Sequence, residues 1–163
     1  MRRGGRGFAL AAAVLAADQA TKAWAIDYLA VQAPLGRGRV EPVTDFFNLV
    51  VVWNRGVSFG LFQADAAITR WGLAAIALAV AVGLSFWLVR ARHGLVAAAL
   101  GLIIGGALGN VVDRVRFGAV FDFLDFHAMG YHWPAFNIAD AGISVGVAAL
   151  LIDGLFGRRE GHR

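Results

Sequence analysis

Long apolar stretches alternate with polar, aromatic connections along this chain of 163 residues. Phe8 to Ala17 is purely apolar behind Arg2, Arg3 and Arg6, which is also how a secretory signal peptide begins. Helical composition nevertheless continues past Asp18 and Lys22 through Trp24, Ala25, Ile26, Tyr28 and Leu29, giving the roughly 20 residues that cross a bilayer. The expectation is a retained first helix over 8–30 with charge in its second half. Asp18 and Lys22 lie four apart on one helix face, where pairing lowers the cost of burying either. Trp71 to Val89 is an uncharged apolar run of spanning length, closed by Arg90-Ala91-Arg92-His93. Gly94 starts the next run, 94–112, and the tight turn between the two predicts antiparallel neighbours. A last apolar segment covers 137–156. Gly101, Gly105, Gly106 and Gly109 recur at three- and four-residue spacing, which lets another helix backbone approach closely.

The connections have a different character. Between Val31 and Arg70, the residues Pro34, Gly36, Gly38 and Pro42 break any helix, and Phe46 to Trp53 favours strand. Asn54-Arg55-Gly56 reads as a turn, with Val57 to Phe62 returning as a second strand. The unbroken apolarity of Phe46 to Trp53 implies that both faces of this small sheet are covered, by lipid, helix or substrate, with the sheet lying on the membrane surface. Arg114 to Ala135 reads as a polar and aromatic connection suited to an interfacial position.

Composition turns these segments into a membrane protein. Hydrophobic residues make up 59% and charged residues 16%, with a mean hydropathy of +0.65, which is unsuited to a water-soluble surface. The pattern predicts an all-α membrane protein with four transmembrane helices and a small β-element, in one domain over 1–163. With no cysteine, disulfides, thiolate nucleophiles and thiolate metal sites are excluded. The net charge of +4 comes from scattered arginines and a single lysine, Lys22, which argues against a nucleic-acid surface. Across four spans, Arg2, Arg3, Arg6, Arg90, Arg92, Arg158, Arg159 and Arg163 share one side. Arg37, Arg39, Arg55, Arg70, Arg114 and Arg116 fall on the other. The positive-inside rule makes the first side cytoplasmic, places both termini there and puts the two long connections outside.

Under this topology Lys22, Asn110, Asp113 and Asp140 approach the outer ends of their helices, while Asn54, Arg55, Arg114 and Asp122 sit in the outer connections. Acids at the ends of membrane-length segments are costly and point to a mechanism. Asp122 and Asp140 stand out because each is embedded in apolar sequence, Phe121-Asp122-Phe123 and Ile138-Ala139-Asp140-Ala141. Desolvation and mutual repulsion would raise one pKa and leave a shared proton near neutral pH. Such a pair suits peptide hydrolysis: the carboxylate takes a proton from the attacking water, and the carboxylic acid donates toward the carbonyl oxygen. Neither a metal nor a cofactor is required, and His127 and His132 match no zinc-ligand spacing. Asp113 is expected to form a supporting helix-end ion pair with Arg114, Asp125 to be an exposed loop acid, and Asp153 to reach the inner interface. Asn54, Asn110 and Asn137 serve either backbone groups at turns and helix ends or a ligand. A proton-coupled transporter or channel is the competing reading. It would spread acids over several depths, whereas these mostly gather at one face, Asp18 and Asp153 excepted. A purely structural membrane protein would leave the buried acids without a reason.

Five blocks in order carry a resemblance: Asp18-Gln19-Ala20-Thr21-Lys22, Asn54-Arg55-Gly56-Val57-Ser58-Phe59, Gly105-Gly106-Ala107-Leu108-Gly109-Asn110-Val111-Val112-Asp113-Arg114, Val120-Phe121-Asp122-Phe123 and Phe136-Asn137-Ile138-Ala139-Asp140. In these the chain resembles the lipoprotein signal peptidase (signal peptidase II) family of bacterial membrane aspartyl peptidases. The resemblance implies a catalytic dyad of Asp122 and Asp140. It assigns substrate-binding or site-supporting roles to Asp18, Lys22, Asn54, Gly56, Asn110, Asp113, Arg114 and Asn137. It also implies four membrane helices with a small extracytoplasmic sheet and a short outer helix or loop. The expected setting is the bacterial cytoplasmic (inner) membrane, with the active site near the outer face. There a monomer, surrounded by membrane lipids and without a cofactor, cleaves lipid-modified prolipoproteins on the amino side of the diacylglyceryl cysteine. Trp53, Phe59 and Phe62 are expected to cover the site and restrict water.

Overall fold

Backbone polar groups in lipid must be satisfied within their own segment, and each long apolar run above is helical. The computed structural model describes residues 2–31, 35–56 and 66–156. The helices are α1 (Arg2–Tyr28), α2 (Ala66–Val89), α3 (Gly94–Phe117) and α4 (Ile138–Phe156). The strands are β1 (Glu41–Thr44), β2 (Phe47–Asn54), β3 (Val120–Ala128) and β4 (Tyr131–His132). Among the described residues, three helical segments are long and apolar enough to cross a membrane: Ala67–Val89, Gly94–Phe117 and Ile138–Phe156. The 27-residue α1, with Asp18, Gln19 and Lys22 in its second half, is not among them.

The core of the bundle is α3, which is mostly buried, while α2 and α4 turn most of their apolar surface outward. Ile76, Phe86 and Val89 of α2 and Val145, Leu151 and Leu155 of α4 are exposed, an apolar girdle that water would not tolerate and lipid would. The glycine spacing of α3 does what it predicts. A Cβ on Gly105 would lie 2.5 Å from Ala11 O of α1, and one on Gly106 2.3 Å from Ala139 O of α4. The central helix is therefore wedged between backbones on two sides. One turn on, a Cβ on Gly109 would sit 2.5 Å from Asp18 Oδ2, so Gly109→Ala is expected to push that carboxylate away and cost about 1–3 kcal/mol. Thermal unfolding in detergent measures this, and an unchanged midpoint would mean that Asp18 is not held against α3.

Beyond Val112 the structure corrects the expected boundaries. The third helix continues through Arg114 to Phe117 and stops at Gly118, whose φ of 83° is left-handed and whose N–H donates to Arg114 O at 3.1 Å. Arg70 Nη2 donates to Val115 O at 2.6 Å and satisfies another terminal carbonyl. The stretch that follows is not a loop but strand. The sheet order is β1-β2-β3-β4 with every pair antiparallel. No short outer helix is present among the described residues, and the expected return strand Val57 to Phe62 lies outside them. The long-range partner of β2 is β3, with Val52 opposite Asp122 and Asn54 opposite Val120.

Among the described residues, β2 packs one face onto the protein core. Strand alternation sends Phe47, Leu49, Val51 and Trp53 into a cluster with Ala25, Leu29, Phe121 and Phe123, beneath the sheet at the end of α1. Val52 is exposed, as is Phe46 just before the strand. Between Leu49 and Val52 the register slips, with one more residue on β2 than on β3. This bulge lies immediately before the pair Val52–Asp122, a position where bulges commonly re-aim a side chain.

Candidate active site

Two hydrogen-bonded clusters meet where α1, α3, β3 and α4 converge. The first is centred on Lys22, which is 2% exposed. Its Nζ lies 2.9 Å from Asp18 Oδ2 and 2.7 Å from Asp113 Oδ2, both on fully buried carboxylates. Two carboxylates against one ammonium leave an excess negative charge, and N–H donors offset it. Asp18 Oδ1 accepts from Ala139 N at 3.0 Å in the first turn of α4, where a helix end favours an anion. Asp113 Oδ2 accepts from Phe121 N at 3.0 Å. Gln19 Nε2 donates to Asp18 Oδ2 at 3.1 Å and to Asp113 Oδ1 at 3.0 Å.

The second cluster holds the two singled-out aspartates. Asn137 is the N-cap of α4 and Asp140 its third helical residue, and they bond reciprocally. Asp140 N donates to Asn137 Oδ1 at 3.0 Å, and Asn137 N donates to Asp140 Oδ2 at 3.3 Å. This is a capping box closed by an aspartate. Asn137 Nδ2 then donates to Asp122 Oδ1 at 2.7 Å, so one buried asparagine orients both acids. Asn110 Nδ2 donates to Asp140 Oδ1 at 2.8 Å, and Asn110 Oδ1 accepts from Lys22 Nζ at 3.4 Å. Asn110 therefore links the clusters.

Strand alternation sets Phe121 and Phe123 into the core and Asp122 on the opposite face of β3. Burial pushes the Asp122 carboxyl up to about 7, and the Asp140 charge pushes the same way. Hydrogen bonds to Asn54 and Asn137, and the Lys22 charge, hold it from going further. Asp122 is 1% exposed, whereas Asp140 is only partly buried. A carboxyl that titrates near neutrality beside a second carboxyl can hold one proton between two acids, which is what general acid and base catalysis on a peptide bond needs.

The remaining expected residues take definite places. Arg114 lies in the last turn of α3 rather than in a connection, with Nη1 donating to Asn110 O at 3.3 Å. Its expected ion pair with Asp113 does not form: neighbours in sequence diverge around a helix, and Asp113 faces Lys22 instead. Asn54 ends β2, and its Oδ1 accepts from Gly56 N at 2.8 Å. Gly56 has φ +82°, a left-handed conformation that favours glycine. Arg55 is exposed beside this turn. Trp53 is built into the sheet, edge-on to Phe117 and tilted against Phe121, with its Nε1 donating to Gly36 O at 2.9 Å. Phe59 and Phe62 lie outside the described residues.

Asp125 is a correction: it is a buried acid of β3, not an exposed loop acid. Asn48 Nδ2 donates to it at 2.9 Å, and His132 Nδ1 lies 2.9 Å from both its oxygens. Burial works against its charge, but the hydrogen bonds from Asn48 and His132 outweigh this and hold its pKa below the ordinary carboxylate range. It pins β2 to the β3–β4 hairpin. Sequence reasoning also missed Gln19, whose side chain spans Asp18, Gly109 O and Asp113. Its signal was an amide next to an acid in an otherwise apolar helix.

Comparison with known proteins identifies the family. The family described as signal peptidase (SPase) II matches residues 10–156. A lipoprotein signal peptidase of Methylorubrum extorquens (strain PA1) is 51% identical over 144 residues, 88% of this chain and 81% of that protein. Another, of Methylobacterium sp. (strain 4-46), is 48% identical over 155 residues, 95% of this chain and 92% of the relative. Among solved structures, a bacterial membrane enzyme determined by the in meso method at 1.9 Å resolution aligns with a TM-score of 0.77 and 28% identity, covering 94% of this chain and 95% of that one. A match over nearly the whole chain leaves the transporter reading without support, and the chain belongs to the signal peptidase II family of aspartic peptidases.

Proposed function

We propose that Asp122 and Asp140 are the catalytic dyad of a membrane endopeptidase that removes signal peptides from prolipoproteins. Both similar relatives named above are lipoprotein signal peptidases, and the substrate class follows from them. The observation that carries the dyad is the buried Asn137, which bonds to both carboxyls through its side chain and backbone. In this mechanism one carboxyl enters as carboxylate and takes a proton from water while the water oxygen attacks the scissile carbonyl. The other enters protonated and donates to the carbonyl oxygen; the roles then exchange as the amine leaves. Asn110 and Asn137 keep the carboxyls aimed, and Lys22 and Arg114 supply positive charge beside them.

The reading extends to the membrane. In it α1 is a fourth span, because its mid-helix ions Asp18 and Lys22 are satisfied internally against α3 and α4 and show lipid little charge. The basic ends of α1 and of the α2–α3 turn are cytoplasmic. The dyad then sits at the outer, periplasmic interface of the inner membrane. A diacylglyceryl-modified cysteine of the substrate would keep its acyl chains in the bilayer while the preceding bond enters among the polar groups. The chain acts as a single membrane domain and as a monomer.

Purified protein in detergent with a lipidated prolipoprotein provides the test. Cleavage is expected to decline on the alkaline side as pH rises through about 7, where the dyad loses its shared proton. Asn54→Ala removes a bond that lowers the Asp122 pKa, so in that variant the alkaline limb moves to higher pH. No cleavage by the unaltered protein, or a limb unmoved by Asn54→Ala, would count against the assignment.

A further inference from the structure

At the end of the bundle away from Asp122 and Asp140, the N-terminal turns of α1 and α3 line a half-open cavity of about 490 Å³. Along α3 it lies about 28 Å from Asp113, at 1.5 Å per residue. Its wall is polar in one sign only: Arg3, Arg6 and His93 line it, and no carboxylate does. Among the described residues neither arginine has an ion-pair partner. The Arg3 guanidinium donates to Arg92 O, which ties α1 to the α2–α3 turn and holds that charge at the cavity mouth. His93 is the N-cap of α3 but makes no side-chain cap, and the first helical turn contains no acid, so helix dipole and side chains add with the same sign.

The floor is different. Leu10, Ala97 and Ala98 are apolar and offer no donors. A small free anion would find charge at the rim and nothing to bond below it, whereas an amphiphile satisfies both surfaces. The rim lies at the start of α3, one of the membrane-length segments, and beside the turn that ends another, α2, which on the membrane reading above is headgroup depth. We infer that this cavity binds the phosphate headgroup of an anionic glycerolipid, with the glycerol and upper acyl carbons against Leu10, Ala97 and Ala98. Basic pockets between membrane helices are suited to such headgroups.

Binding to the full chain in a zwitterionic detergent, read by native mass spectrometry, separates the sources of phosphate. The probes are phosphatidylglycerol, phosphatidylcholine and inorganic phosphate. Phosphatidylglycerol is expected to bind in preference to both. Arg3→Gln with Arg6→Gln should weaken it by about fivefold for each arginine. Arg37→Gln with Arg39→Gln removes the same charge elsewhere and should leave it unchanged. Ala98→Phe, which fills the floor without changing charge, should weaken it too. Equal retention of phosphatidylcholine, or binding indifferent to Arg3 and Arg6, would overturn the proposal. Displacement of the lipid by an equal concentration of inorganic phosphate would overturn it as well, by identifying a free-anion site.

Discussion

Asp122→Asn and Asp140→Asn are each expected to slow cleavage of a lipidated prolipoprotein by at least about 10³-fold, since each removes a proton-transfer group. The double variant should be hardly slower than either single one, because two carboxyls sharing one proton act as a unit. Both substitutions leave a side chain of the same shape. One amide oxygen still accepts from Asn137 Nδ2 at position 122 or from Asn110 Nδ2 at position 140. Although Asp140→Asn gives up the bond from Asn137 N, the N-cap bond from Asp140 N to Asn137 Oδ1 needs no carboxylate, so the start of α4 and the fold survive. Initial rates with enzyme in excess, together with unfolding midpoints in detergent, measure both halves of the expectation. A variant that kept a tenth of the activity would remove its aspartate from the chemistry. A variant that lost activity and helix content together would instead make that aspartate a support.

Lys22→Met is expected to cost about 3–5 kcal/mol, the largest stability loss of any single substitution considered, because it leaves two buried carboxylates without their common cation. The sign can be checked within the same cluster. Combining Lys22→Met with Asp18→Asn and Asp113→Asn removes all three charges and should recover much of the loss, since neutral amides tolerate burial better than unpaired ions. Lys22 also holds the Asp122 pKa down, so any folded fraction of Lys22→Met should show its alkaline activity limb at higher pH. A change in stability below about 1 kcal/mol would sink this account and point to a solvated rather than a buried cluster.

What could be read from the chain beforehand follows the range of the interactions. Asp122 and Asp140 were legible because a carboxyl among phenylalanines or alanines contradicts its neighbours, and that contradiction is local. The α3 glycines were legible for the same reason: their period lies within one helix, although the backbones they admit belong to α1 and α4. The pairing of β2 with β3 was not, since the hydrogen bonds join residues more than 60 apart, such as Val52 and Asp122, and leave little local trace. Asp125 was misread as loop because its burial depends on Asn48 across that same pairing. Adjacency misled at Asp113, where the cation next in sequence is not the cation next in space. The first helix was recognised from its length, yet its amide partner Gln19 acquires meaning only once α3 lies beside it.

The bond from Ala139 N to Asp18 Oδ1 spans 121 residues, one position before Asp140. It joins the first helix to be synthesised to the last. While the chain is still being made, the carboxylate of α1 has no α4 to anchor, Asn137 has not arrived, and Asp122 has no second acid. On the proposed dyad, the site therefore stays incomplete throughout synthesis and insertion, and closes only when the final segment docks. A cutting edge assembled last is one that the emerging chain does not yet carry.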